Sequence, residues 1–129
     1  KLNASSTPLW GKMSVDQMCE HCIAAINVAF GKQDLTISFP MRLLGRLLKN
    51  KAFNSDFGKN SPTAKEFRIT SHSDFEKSQT QLIVCVQEFA KGTSVITVMH
   101  HPFWGKMSFE DWDKLMYRHL DHHLRQFGV

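Results

Sequence analysis

Two histidines near the C-terminus have the spacing of a metal-ligand pair. His119 and His123 stand four residues apart in "HLDHHLRQFG", and Trp112 and Met116 precede them at spacings of four and three. Residues so spaced share one face of an α-helix, with neighbouring Cβ atoms about 5–6 Å apart. Because the first half of this stripe is apolar, we expect it to face the core. Two imidazoles one turn apart can reach a single Zn²⁺, whose bonds to nitrogen are about 2.0–2.1 Å long.

The spacing alone leaves a second interpretation open. The chain contains 7 histidines, so a pair at this spacing can arise by accident. A partly buried histidine bonded to a backbone carbonyl is also commoner than a metal ligand. His122 lies about 60° around the helix from His119, so we expect it to flank the pair rather than to join it.

A third histidine, in a different helix, strengthens the metal hypothesis. His21 lies in "QMCEHCIAA", and its predicted helix begins near Ser14. At about 1.5 Å per residue, His21 stands about 10 Å from that helix start. The midpoint of His119 and His123 is about 9 Å from the end of its own helix. Antiparallel packing with level ends therefore places all three histidines at one height, whereas parallel packing separates them by about 9 Å.

The cysteines offer a rival site. Cys19 and Cys22 form a C-x-x-C within the helix that carries His21, but no second cysteine pair follows. Strong zinc signals have two such halves. We therefore predict that Cys19, Cys22 and Cys85 are core residues, with Cys22 a minor candidate near the metal.

Four segments of the sequence have the periodicity and the end signals of helices. Apolar residues recur in them at spacings of three and four, with capping residues at their ends. The segments run roughly over residues 14–30, 40–51, 73–90 and 108–127. Helices with apolar faces pack on one another, so we predict a single all-α domain over residues 1–129, a helical bundle.

The segments between the helices carry weaker signals. β-branched residues predict short extended segments near residues 67–70 and 93–99. Ser73, with Glu76 three residues later, is the predicted N-cap of the third helix. His101 precedes a proline in a predicted loop, where it could line the rim of a pocket.

One short phrase occurs twice in the chain. "PLWGKMSVDQ" begins at residue 8 and "PFWGKMSFED" begins at residue 102. In each copy a glycine that permits a tight turn precedes a serine N-cap, and a Gln or Asp follows that serine three residues later. Gln at this position completes a capping box, and Asp suits the helix dipole. Both copies therefore predict a turn followed by the start of a helix.

Composition limits the class of protein. The 129 residues are 42% hydrophobic and 22% charged, which is typical of one soluble globular domain. The longest apolar run, "LIVCV", is far too short to cross a membrane, and the sequence does not start with a signal-peptide pattern. A low, odd number of cysteines agrees with a reducing compartment, so we predict a cytoplasmic protein without a membrane partner.

The net charge of +4 comes largely from basic residues between Arg42 and Arg68. We interpret this stretch as a solvated face, with an anionic ligand as the weaker alternative. No nucleic-acid-binding motif accompanies the charge, so we expect no nucleic-acid partner.

Three stretches together resemble the DinB/YfiT-like metalloenzyme superfamily. They are "PLWGKMSVDQMCEH", "HPFWGKMSFEDW" and "HLDHHLRQFG", and within the superfamily they are most similar to a bacterial branch catalogued as a domain of unknown function. The resemblance covers most of the chain. It implies a four-helix bundle that binds one divalent ion, nickel or zinc, through one histidine of the second helix and an H-x-x-x-H pair of the fourth. Those positions match His21, His119 and His123.

The resemblance also implies a helix before Pro8, where this sequence has only seven residues. We therefore expect the first helix of the bundle to be truncated here, and residues 40–51 to lie in the connection between the family's second and third helices. An absent helix would expose an apolar groove that a second copy tends to cover, so we predict a homodimer.

The expected function follows from the metal and from the resemblance. Three imidazoles leave at least one metal position open, and characterised relatives include thiol S-transferases and a thiol-dependent isomerase. We therefore expect a metal-dependent enzyme with a small-molecule substrate, a low-molecular-weight thiol. The sequence leaves two alternatives open, a metal-binding bundle without catalysis and a metal-dependent hydrolase, because no carboxylate falls at a clear general-base position. The candidates for the substrate pocket are Gln126, Trp112, Met116, His101 and Arg125.

Overall fold

The computed structural model describes residues 1–129 as four α-helices and one very short hairpin. The helices are α1 (Val15–Ala29), α2 (Phe39–Asn54), α3 (Phe75–Phe89) and α4 (Phe109–Gln126), and the strands are β1 (His100–His101) and β2 (Gly105–Lys106). Single 3₁₀ turns occupy Lys65–Phe67 and Gly92–Ser94. The predicted all-α bundle is confirmed, with each predicted helix end within three residues of the observed one.

α1 is the central helix and packs most extensively on α3. Eleven of its 15 residues are buried, which is what a helix with apolar residues on most sides requires. Toward its start, Met18 and Cys22 pack with Phe127 at the end of α4. Toward its end, Ile26 packs with Trp112 near the start of α4. The three cysteines are all buried, as predicted.

α1 and α4 lie antiparallel. The segment before α1 contacts the end of α4, where the Leu9 N–H donates to the Gln126 carbonyl at 2.7 Å. At the other end, the N–H groups of Thr97 and Val98 donate to the Ala29 carbonyl at 3.0 and 3.2 Å. These bonds satisfy a carbonyl at the C-terminus of α1, which the helix itself leaves free. This antiparallel arrangement of α1 and α4 is the one that the predicted three-histidine site requires.

Both copies of the repeated phrase start a helix as predicted. Gly11 and Gly105 adopt φ angles of +79° and +77°, a region that residues with a Cβ rarely occupy. Each is followed by a capping box, in which the backbone N–H of the serine donates to the side chain three residues later. The distances are 3.1 Å in the first copy and 2.9 Å in the second.

α2 is attached through a narrow contact. Its buried residues are Gly45 and Phe53, and Lys49 forms a 2.8 Å ion pair with Asp111 at the start of α4. The four leucines of α2 have the spacing of an apolar face, yet they point mostly outward: Leu47 is 73% exposed. No helix combines the length and the hydropathy that a membrane crossing requires.

The predicted extended segments do not form strands. Residues 67–70 follow a 3₁₀ turn, and the two strands lie at residues 100–106 rather than 93–99. Ile96 is buried in the core, while the next two residues donate to the end of α1 instead of to a neighbouring strand. The β-branched residues of 93–99 therefore pack in a loop rather than pair in a sheet.

The predicted N-cap of α3 is wrong by one residue. Asp74 caps the helix, because its side chain accepts from the Lys77 N–H at 2.9 Å. Ser73 is already engaged elsewhere: its N–H donates to Asp16 at 2.9 Å and its hydroxyl bonds to Ser78 at 2.7 Å.

Candidate metal centre

His21 projects from α1 with a defined tautomer. Its Nδ1 lies 2.8 Å from the Phe67 carbonyl oxygen, which can only accept a hydrogen bond. Nδ1 therefore carries the proton, and Nε2 presents its lone pair to the interior. This arrangement is the usual one for a metal-binding histidine, whose second nitrogen is held by a backbone carbonyl or a carboxylate.

His123 has its tautomer set by a two-step chain of hydrogen bonds. The Gln126 amide donates to the Trp10 carbonyl at 2.7 Å, which turns the amide oxygen toward His123. That oxygen accepts from His123 Nδ1 at 2.8 Å, so His123 also presents an Nε2 lone pair. Gly11 permits the close approach: a Cβ at this position would lie 2.6 Å from the Gln126 amide nitrogen.

The three rings converge on one point. His21 Nε2 and His119 Nε2 are 2.9 Å apart, and one ligand atom from each of the three histidines lies within 4.8 Å of the others. Two nitrogens bound at about 2.1 Å to one ion lie about 3.0 Å apart if their bonds are perpendicular, and about 3.4 Å apart in a tetrahedron. His119 differs from the other two histidines in that its second nitrogen, Nδ1, is buried without a hydrogen-bond partner. The predicted histidines could therefore hold one metal ion.

The electrostatics of the cluster favour neutral imidazoles. Burial lowers the pKa of His21, and burial together with His21 lowers the pKa of His123 to about 4. Burial and the adjacent His123 and His21 hold the pKa of His119 well below its usual range. All three rings are therefore uncharged near neutral pH, which is the form that binds a metal.

A cleft of about 150 Å³ is lined by neighbours of the three histidines, but by none of the three themselves. One wall is aromatic and consists of Trp10, Phe57 and His122. The Phe57 ring centre is 6.4 Å from that of His119, and the His122 ring centre is 5.1 Å from that of His123. Phe57 and His122 therefore line the cleft and also contact the histidine cluster, in which His119 is only partly buried. His122 flanks the cluster, as predicted.

The rim of the cleft is charged. Arg118 and Arg125 each donate to one oxygen of Asp56, both at 3.0 Å. Arg125 also pairs with Asp121 at 2.9 Å. Lys59 lies over the Trp10 ring, with its Nζ 4.5 Å from the ring centre.

Among the predicted substrate-pocket residues, Arg125 lines this cleft. Gln126 is buried behind the cluster, with both ends of its amide bonded as described above. Trp112 is fully buried, and its indole donates to the Val98 carbonyl at 2.6 Å. Met116 lies in the same apolar core. Their roles in substrate binding stay predictions.

His101 is buried beside Trp112 in the hairpin rather than at the cleft. Its Nδ1 accepts from the N–H groups of Phe103 and Trp104 at 3.0 and 3.2 Å. A ring that accepts at Nδ1 must be neutral, and burial lowers the His101 pKa to about 4. The structure therefore shows it closing the turn that precedes α4.

The cysteines lie outside the cluster of candidate ligands. Burial raises the pKa of Cys19 to about 11 and raises that of fully buried Cys22 further. Both thiols therefore stay protonated, whereas the thiolate is the form that binds a metal. These residues pack the core, as expected.

Several residues around the site were not singled out from the sequence. Arg118 lies four residues before His122 and seven before Arg125, so helical spacing alone could have found this second stripe. No spacing rule points to the Phe67 carbonyl or to Asp56, because both lie on connections that approach α1 or α4 only in the fold.

Comparison with known proteins bears on the whole chain. No curated protein and no solved structure matches it. A family model described as "Protein of unknown function (DUF1569)" matches residues 1–128, nearly the full length. That match does not extend to the DinB/YfiT-like superfamily. The chain, with its three converging histidines and its antiparallel helices, belongs to the DUF1569 family.

Proposed function

We propose that this protein is a metal-dependent enzyme of DinB-like fold. His21, His119 and His123 bind one divalent ion, zinc or nickel, and a low-molecular-weight thiol is the cosubstrate. The observation that carries the proposal is the convergence of three neutral imidazoles, two of them with a tautomer set by a fixed acceptor.

The number of ligands favours a reactive site over a structural one. Structural zinc sites usually have four protein ligands, whereas catalytic sites have three and keep one position for water or substrate. A divalent ion at such a site lowers the pKa of a bound water or thiol toward neutrality. The thiolate is the reactive form of a thiol, so S-transfer to an electrophile is the chemistry that fits.

The residues around the three histidines have different proposed roles. The Phe67 carbonyl and the Gln126 amide hold the ligand rings in position. Phe57 and His122 limit the access of bulk water to the cluster, because their rings contact its histidines. Arg125, at the rim, attracts an acidic cosubstrate.

A second candidate function is metal binding without catalysis. It is favoured by the lining of the cleft, which includes none of the three candidate ligands, so that a metal bound to them would be less accessible to a substrate in the cleft. The two functions differ in one observable, which is whether an added thiol reaches the metal.

Cobalt substitution separates them. We expect cobalt-loaded protein titrated with glutathione, bacillithiol or mycothiol to develop a sulfur-to-cobalt charge-transfer band with at least one of them. The matched control is His119→Ala protein treated with cobalt in the same way, which should show no band. If none of the three thiols changes the cobalt spectrum, thiol transfer is wrong, and a hydrolase or a non-catalytic protein remains.

A further inference from the structure

The rim of the cleft contains a carboxylate held in an unusual way. Asp56 lies on the connection that follows α2, and its side chain is 61% exposed. One oxygen accepts from Arg118 and the other from Arg125, two guanidinium groups that lie seven residues apart on α4. The pair of arginines therefore forms a receptor for one carboxylate, and in this structure Asp56 occupies it.

The contacts of Asp56 are of a kind that a ligand can replace. Exposed ion pairs contribute little to stability because water screens both charges. Displacement of Asp56 by the carboxylate of a small molecule therefore costs the fold little. Arg125 keeps its separate pair with Asp121 in either case, which holds its side chain at the rim.

The rest of the cleft suits a small ligand with an anionic end. Lys59, over the Trp10 ring, adds a third cation and forms no ion pair in this structure. The indole N–H of Trp10 is buried without a hydrogen-bond partner. The volume of about 150 Å³ equals about five water molecules of liquid, enough for one short arm of a metabolite.

The carboxylate receptor is joined to the histidine cluster through the neighbour of Asp56. Phe57 follows Asp56 directly, and its ring lies against both His119 and His122, with ring centres 6.4 and 6.0 Å apart. The two ion pairs of Asp56 tie this connection to α4. Phe57 also packs against the apolar core, so this one residue links the rim, the core and the histidine cluster.

We propose that Arg118 and Arg125 bind the carboxylate of a small anionic substrate in place of Asp56. For its catalytic meaning the inference rests on the proposed metal centre, and it names the substrate class: a short molecule with a carboxylate at the rim and its reacting group toward the histidines.

The test uses the full chain without metal, so that the carboxylate site is examined alone. The probe is propionate, and propionamide is its uncharged counterpart. NMR titration follows the indole N–H of Trp10 and the side-chain N–H of Arg125. We expect saturable shifts with propionate and none with propionamide.

Three variants examine the exchange itself. Asp56→Asn removes the internal competitor and should tighten propionate binding about tenfold. Arg118→Gln should weaken it at least tenfold. The matched control is Arg42→Gln, an exposed arginine of α2 whose side chain bonds only to the Ile37 carbonyl, and it should bind like wild type.

The proposal is wrong if Asp56→Asn binds no more tightly than wild type, if Arg42→Gln loses as much affinity as Arg118→Gln, or if propionamide binds equally well. Should Arg118→Gln fail to fold, the Asp56→Asn and propionamide results still decide. Failure of this inference can be told apart from failure of the metal centre. If the protein binds metal but not propionate, this inference alone is wrong. If it binds propionate but not metal, the proposed enzyme is wrong and the carboxylate site remains.

Discussion

At the scale of single residues, the second nitrogen of each imidazole matters as much as the one that faces the ion. The Phe67 carbonyl and the Gln126 amide oxygen each accept from an Nδ1–H and so direct an Nε2 lone pair inward. Such partners of ligand histidines typically contribute a factor of about 10–100 in metal affinity. Their contribution can be measured at Gln126, since the Phe67 acceptor belongs to the backbone.

We expect Gln126→Leu to weaken divalent-metal binding about 10–100-fold, because His123 Nδ1 then loses its acceptor and the ring can turn. Competition with a chelating dye measures the affinity. The control is Gln81→Leu, a glutamine-to-leucine change at an exposed position of α3 whose side chain bonds to no candidate ligand, and it should leave affinity unchanged. Equal affinity in Gln126→Leu and wild type would show that this hydrogen bond does not position His123.

At the scale of elements, the sequence predicts the helices well because their signals are local. The Trp112–Met116–His119–His123 stripe sets the phase of α4, and capping residues mark where both ligand helices begin. The three-histidine site followed from that phase together with the height of His21, and the structure brings the three rings together.

The features that the sequence does not predict depend on contacts between distant segments. The contact between α2 and the hairpin, for example, depends on the close approach of Gly45 to Phe103. The sequence of neither segment predicts that approach. The exposed leucines of α2 have the spacing of a buried face, yet the helix packs through a different side. The ion pairs of Asp56 are equally hard to predict from the sequence, because its arginine partners lie far along the chain, on α4.

The substitution Gly45→Ala tests the contact between α2 and the hairpin, because helix propensity and that contact change the free energy of unfolding in opposite directions. Gly→Ala inside an exposed helix normally stabilises by about 1 kcal/mol through helix propensity. Here the added Cβ would lie 2.2 Å from the Phe103 carbonyl oxygen, so the backbone must move. We expect Gly45→Ala to lower the free energy of unfolding by about 1–3 kcal/mol, measured by urea denaturation.

The control for this prediction is Gly58→Ala. A Cβ at Gly58 meets only the hydroxyl of the exposed Ser61, at 3.2 Å, and a shift of a few tenths of an ångström relieves that contact. Its stability should stay close to that of wild type. A Gly45→Ala protein that is more stable than wild type would mean that α2 does not press on the hairpin.

At the scale of the whole molecule, the candidate metal centre joins opposite ends of the chain. His21 and His119 are separated by 98 positions, and they meet because α1 and α4 pack antiparallel. An ion that binds only the folded arrangement stabilises it in proportion to the logarithm of its concentration. The predicted homodimer stays a prediction.

The metal content of purified protein tests the central claim most directly. After loading with zinc or nickel and removal of free ion, elemental analysis should find one ion per chain in wild type. His119→Ala and His123→Ala should lose it, because each removes one of three converging ligands. His122→Ala should retain it, since that ring flanks the cluster and forms part of the cleft wall. Full metal retention in both His119→Ala and His123→Ala, or an equal loss in His122→Ala, would contradict the account.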